Sequence, residues 1–143
     1  MRAELAVIDT SVYVESVRAG RFENELVNLP FLVRVSAVVV AELARGARSR
    51  PGRRFVDQLA RHRPLVTPSE GDWVRSGAIV RGIAERHGFD VGKLRDLHFD
   101  TLIALTARQI GAHLITCNVR DFRVIREALP FKLIGWEFAE RPA

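Results

Sequence analysis

At 143 residues the chain is long enough for one domain with its own core, and positions 1–143 read as a single unit. With 48 % hydrophobic and 27 % charged residues it is not a disordered polypeptide, and its single cysteine, Cys117, excludes an internal disulfide and fits a reducing cytoplasm. The net charge of +5 rests on Arg at 20 of 22 basic positions, a composition that suits a phosphate-bearing polyanion and equally an ordinary solvated surface.

No apolar run approaches the ~18 residues of a membrane span. Leu5 to Ile8, followed at once by Asp9, is too short and too acidic for a signal peptide, so a cytoplasmic chain without a membrane segment is expected. Residues 4–8 predict a buried strand, and Asp9-Thr10-Ser11 start a short helix that runs through Val17. A turn at 18–21 leads to a second short helix over 22–29, with Phe22, Leu26 and Leu29 on one face and Pro30 closing it. A strand at 31–35 precedes a helix over about 37–47 capped by Ser36. Arg48 to Gly52 reads as a break, with an Arg-rich mobile loop at 48–54, and the helix resumes over 53–62. After a minimal strand at 65–67, the segment 72–87 is amphipathic, with Trp73, Ile79, Val80, Ile83 and Ala84 apolar and Gly88 closing it. Residues 89–97 predict a polar loop, 97–109 a second long helix, 112–116 a strand, 119–128 a short helix and 131–134 a last strand. Strands alternating with helices predict a three-layer α/β/α sandwich around a mainly parallel sheet, with right-handed crossovers.

Four acids stand in or beside the apolar runs: Asp9, Glu42, Asp100 and Asp121. Taken singly, Asp9 reads as a helix cap, Glu42 as a partner of Arg45 on a solvent face, and Asp121 as part of a first helical turn. Asp100 fits such explanations least. Phe99, Leu102, Ile103, Leu105 and Ala107 surround it, and an unpaired buried carboxylate costs several kcal/mol. Asp96, one turn earlier, lies in a more polar approach and reads as a cap. In an open parallel sheet, ligands collect outside the carboxyl ends of the strands. Asp9 and Asp121 leave strand ends, and the helices of Glu42 and Asp100 are expected above the same edge. Crowded carboxylates raise one another's pKa unless a cation separates them, and an all-oxygen set suits Mg²⁺ or Mn²⁺. His62, His87, His98 and His113 are scattered and offer no zinc spacing. Carboxylate-held metal supports attack of water on a phosphodiester. Thr116 and Asn118 are placed to orient the carboxylates, and Ser11 to hold a substrate phosphate or a metal-bound water.

The stretches Val7-Ile8-Asp9-Thr10-Ser11, Val40-Ala41-Glu42-Leu43-Ala44-Arg45-Gly46-Ala47, Asp100-Thr101-Leu102-Ile103-Ala104-Leu105-Thr106-Ala107 and Leu114-Ile115-Thr116-Cys117-Asn118-Val119-Arg120-Asp121-Phe122 resemble, in order, the PIN-domain family and specifically its VapC-type toxins. They span nearly the whole chain. The resemblance implies an α/β/α sandwich, Mg²⁺- or Mn²⁺-dependent endoribonuclease activity on RNA, homodimerisation and inhibition by a VapB-like antitoxin. It carries the family's acids onto Asp9, Glu42, Asp100 and Asp121, and its supporting polar positions onto Ser11, Thr116 and Asn118. Some members hold an acid where this chain has Asn118, so Asp121 and Asn118 both stand for the fourth position. An antitoxin is expected in an apolar groove between the first two short helices and the helices of 37–62, using Tyr13, Val17, Phe22, Leu26 and Phe55. Two neighbouring readings are a PIN nuclease of RNA processing without an antitoxin and a non-catalytic RNA-binding PIN domain; the intact acid set argues against the second. A phosphoacceptor receiver domain also gathers acids at a sheet edge, but Glu42 belongs to a mid-chain helix, and the only lysines, Lys93 and Lys132, do not supply the late lysine expected there.

Overall fold

Short runs of aliphatic and β-branched residues build the sheet at the centre of the structure, a computed structural model that describes residues 3–136. The single-unit reading of 1–143 also takes in residues 1–2 and 137–143, which lie outside the described residues. Among the described residues the strands are β1 (Leu5–Ile8), β2 (Leu32–Ser36), β3 (Leu65–Val66), β4 (His113–Thr116) and β5 (Lys132–Gly135), in spatial order β3-β2-β1-β4-β5 with every pairing parallel. Parallel strands are covered on both faces and so read as continuous apolar runs. Ala6 and Val7 of β1 and Leu114 and Ile115 of β4 are fully buried accordingly.

The helices are α1 (Thr10–Ala19), α2 (Glu23–Val27), α3 (Ala37–Gly46), α4 (Arg50–His62), α5 (Glu70–His87), α6 (Val91–Gln109) and α7 (Val119–Arg126). One group, α1, α3 and α4, packs together; the other is α5, α6 and α7, with α6 reaching β1, β2 and β4. The three-layer α/β/α arrangement is the one the alternating pattern predicts. Phe122, Ile83, Leu97, Leu102, Ile103 and Leu105 are the large side chains that these helices bury most completely. Each such burial stabilises by about 1.5–3 kcal/mol.

Helix starts differ from the sequence reading in two places, both through local capping. Of the residues 89–97 read as a loop, only Phe89 and Asp90 are one: Asp90 accepts the N–H of Lys93 at 2.8 Å and starts α6 at Val91, nearly two turns ahead of the apolar run. Of the Arg-rich stretch 48–54, residues 50–54 are not loop but the opening of α4, with Arg48 and Ser49 leading into it. Ser49 caps it by accepting the Gly52 N–H at 3.1 Å, and Pro51 sits where a missing N–H costs nothing. Trp73, expected on the apolar side of α5, is 53 % exposed, and buried Ser76 takes part of that face. The end signals are as expected, with Gly20 and Gly88 both left-handed at helix C-termini.

The strand order decides where a site can form. The chain winds outward from β1 through β2 to β3, then returns across the sheet to β4 and β5. Loops therefore diverge above β1 and β4, and the crevice of an open parallel sheet lies at this switch point.

Candidate functional site

Asp9 leaves the end of β1 with its backbone still paired to β4, the Asp9 N–H donating to Ile115 O at 2.8 Å. It occupies the N-cap position of α1, yet its carboxylate makes no capping bond. Oδ2 instead accepts the Ser11 hydroxyl at 2.6 Å and the Thr116 hydroxyl at 2.8 Å. Each hydroxyl has one proton, so both are committed to Asp9, and the 3.3 Å approach of Ser11 Oγ to Thr116 Oγ1 is a contact rather than a further donation. Ser11 thus donates its one proton to the carboxylate. Thr116 Oγ1 also accepts the Asn118 N–H at 2.8 Å, which fixes the turn between β4 and α7.

The other acids arrive from helices. Glu42, in the second turn of α3, accepts the Thr10 hydroxyl at 2.8 Å on Oε1, while Arg45 lies 4.0 Å from Oε2. The solvent-face pairing with Arg45 is therefore present in loose form. Asp100 enters from the middle of α6 and has no hydrogen bond or ion pair among the described residues. Asp121 does not stand at a strand end but in the first turn of α7. Its Oδ1 accepts from Lys93 Nζ at 2.6 Å and its Oδ2 from Asn118 Nδ2 at 3.0 Å.

Asp9, Glu42, Asp100 and Asp121 line one pocket of about 240 Å³ with Thr10, Ser11, Asn118 and Asp96. The structure thus brings together all four acids and two of the three supporting residues, with Thr116 fully buried just behind Asp9. Asp96 joins from α6, where an i, i+4 relation to Asp100 was the available signal. Thr10 and Lys93 had no such signal.

Burial raises the carboxyl of Asp9, against the hydroxyls of Ser11 and Thr116. Burial likewise raises Glu42, opposed by Thr10, with the charge of Asp9 adding to the rise. Asp100 is pushed up to about 9, first by burial and then by Asp9, Glu42, Asp121 and Asp96. Cys117 is half-buried, donates its N–H to Ser11 Oγ at 3.3 Å and has its thiol raised by burial, in keeping with an inert thiol.

A hard cation suits this donor set, because every group is a carboxylate, hydroxyl or amide oxygen and Asp100 has no cation of its own. The carboxylates line a pocket rather than meet at a point. Among the described residues no three Asp, Glu, His or Cys side chains form a ready-made cage. An ion would draw them inward and complete its shell with water, as Mg²⁺ habitually does.

A second concavity, about 640 Å³, lies between α1, α3 and α4 and is lined by Tyr13, Val14, Val17, Leu43, Phe55 and Val56 with Arg18 and Arg48. Glu42 lines both spaces, so the two adjoin at its side chain. Phe22 and Leu26 are not part of this cleft. They pack partly buried on the core, with the Phe22 ring 5.5 Å from that of Trp136.

An all-parallel five-stranded sheet with acids from β1, α3, α6 and α7 gathered at its switch point defines a PIN domain, and the PIN domain family model matches residues 6–128. The chain belongs to that family, whose nucleases are hydrolases acting on RNA and generally use divalent metal ions. Among solved structures it is similar to VapBC-1 from nontypeable Haemophilus influenzae, with a TM-score of 0.66 and 21 % identity over 92 % of this chain and 98 % of that one. VapBC2 from Rickettsia felis, bound to a DNA fragment from their promoter, gives 0.63 and 20 % over 93 % and 99 %. FitAcB from Neisseria gonorrhoeae gives 0.61 and 23 % over 91 % and 96 %. At such identities the likeness is one of fold. None of the curated proteins matches the chain in sequence. Among the described residues no helix is long and apolar enough to cross a membrane.

Proposed function

We propose that this protein is a Mg²⁺- or Mn²⁺-dependent endoribonuclease and the toxin of a type II toxin–antitoxin pair, acting as a cytoplasmic homodimer. The observation that carries the reading is Asp100, a half-buried carboxylate without a partner among the described residues, lining one pocket with three other acids and raised to about 9. Such a cluster is costly unless a cation completes it. Asp9, Glu42, Asp100 and Asp121 form the acid set around the ion. When bound, a divalent ion in such a set lowers the pKa of a water, polarises the phosphoryl group and steadies the leaving oxygen. The chain's own groups hold that set in place. Ser11 and Thr116 fix Asp9, Thr10 fixes Glu42, and Asn118 fixes Asp121. The surplus of Arg draws a polyanionic RNA toward an acidic pocket that would otherwise repel it.

The similarity to VapBC and FitAcB structures supports a VapB-like antitoxin as partner. The cleft between α1, α3 and α4 is the surface it would occupy: it is lined mainly by apolar side chains and adjoins the acidic pocket at Glu42. An amphipathic segment seated there would also obstruct the pocket. The test is incubation of the purified protein with total RNA in Mg²⁺ or Mn²⁺, followed by mapping of new 5′ ends. Discrete, metal-dependent ends are expected. Asp9→Asn and Asp100→Asn should each reduce cleavage by at least about 100-fold, the upper end of what loss of an outer-shell partner alone costs. Cleavage at wild-type rate by either variant would refute the mechanism.

A further inference from the structure

The acids of the pocket are not equivalent. Asp121 has both oxygens satisfied by the chain, one by an ammonium at 2.6 Å and one by an amide at 3.0 Å. Asp9 has hydroxyl donors only, Glu42 a hydroxyl and a guanidinium at 4.0 Å, and Asp100 no hydrogen bond or ion pair among the described residues. The cation at Asp121 is Lys93, one of two lysines in a chain whose other basic residues are all Arg. It is a placed group. The Asp90 cap holds its backbone, its side chain is only 34 % exposed, and its ammonium lies 5.9 Å from the centre of the Phe89 ring. It also stands two helical turns before Asp100 on the same face of α6.

From this geometry we infer that Lys93 is a built-in second cation, so that the pocket takes a single divalent ion on Asp9, Glu42 and Asp100 while Asp121 is a positioning residue. The inference rests on the metal-dependent reading above and narrows it. An ion ligated by Asp121 would have to displace the ammonium from Oδ1 or the amide from Oδ2. It would then sit within a few ångströms of a like charge in a partly buried site, where repulsion is poorly screened. An ion among Asp9, Glu42 and Asp100 displaces no cation in direct contact and offsets the mutual repulsion of three carboxylates that line one pocket. A lysine ammonium is compact and strongly hydrated, which suits a point charge in place of a metal ion.

Mn²⁺ titrated into the purified metal-free protein, with free Mn²⁺ read by electron paramagnetic resonance, tests this without reference to cleavage. The wild-type chain is expected to take up one ion. Lys93→Met and Lys93→Gln, checked as folded by circular dichroism, should take up a second, and Lys93→Arg should keep to one. Asp100→Asn should weaken the wild-type site more than ~100-fold, and Asp121→Asn by no more than the roughly 10–100-fold that loss of an outer-shell partner costs. Two ions in the wild type, an unchanged single ion in both neutral Lys93 variants, or equal losses in Asp100→Asn and Asp121→Asn would overturn the inference and leave the nuclease reading standing. No bound ion in the wild type would overturn the metal reading and this inference together.

Discussion

Asp100 holds its proton more tightly in the folded chain than in the unfolded one, because burial and neighbouring carboxylates penalise its charge. A carboxyl raised from 3.8 to about 9 contributes stability that is fully present below the unfolded value and is lost as pH rises through that window. Without divalent ions the protein should therefore lose stability from about pH 4 to about pH 9, with a slope from this group of at most about 1.4 kcal/mol per pH unit. Asp100→Asn should flatten that slope. Saturating Mn²⁺ should reverse it, since the ion binds the deprotonated form. Urea midpoints of both proteins in chelator at pH 5, 7 and 9 check this, and parallel slopes would show that Asp100 is not the titrating group. Asp100 was legible as an anomaly because its neighbours along α6 are apolar; the carboxylates that add to its shift come together only in the fold. Thr10 and Lys93 were not legible, because their partners lie 32 and 28 residues away and nothing local announces them.

The first turn of α7 depends on the end of β5. Gly135 has no side chain, and a Cβ there would lie 2.5 Å from Val119 Cγ2, closer than any real contact. Val119 begins α7, next to the Asn118 cap and two residues before Asp121 of the Asp121–Lys93 pair. Gly135→Ala should therefore push α7 outward at a cost of about 1–3 kcal/mol, seen as a melting temperature lower by roughly 3–10 °C in a chain of this size. Adding Val119→Ala removes the clashing methyl groups and should recover part of the loss. If the double variant is as unstable as the sum of the singles, the clash is not the cause. At this scale most element positions were readable from apolar runs and Gly ends. The starts of α4 and α6 were not, because one side-chain cap turns polar residues that read as loop into helix.

Across the whole molecule, the apolar cleft and the acidic pocket share Glu42, so a partner lying between α1, α3 and α4 sits at the mouth of the site. Val17 lines this cleft and is 54 % exposed, so a charge there interrupts an open apolar surface without entering the core. Val17→Asp should leave the melting temperature within about 2 °C, the scale of a ±0.5 kcal/mol surface change, and weaken capture of the proposed VapB-like antitoxin by at least about tenfold. Phe22→Asp should instead lower stability, because that ring packs against the core and Trp136. Calorimetric titration with the antitoxin and thermal melts of both variants separate the two surfaces. Undiminished binding by Val17→Asp would exclude the cleft.

What the sequence determined by itself was set by local physics: which runs are apolar enough to be buried strands, which residues start and stop helices, and which carboxylate cannot be solvated where it stands. These depend on neighbours a few positions away. The tertiary structure alone decided the strand order β3-β2-β1-β4-β5, the meeting of acids from β1, α3, α6 and α7 at its switch point, and the pairing of Lys93 with Asp121. Pairing between strands and across helix faces joins residues tens of positions apart. Its energy belongs to the packed arrangement, in which a parallel sheet must be covered on both sides before any of its edge loops has a place.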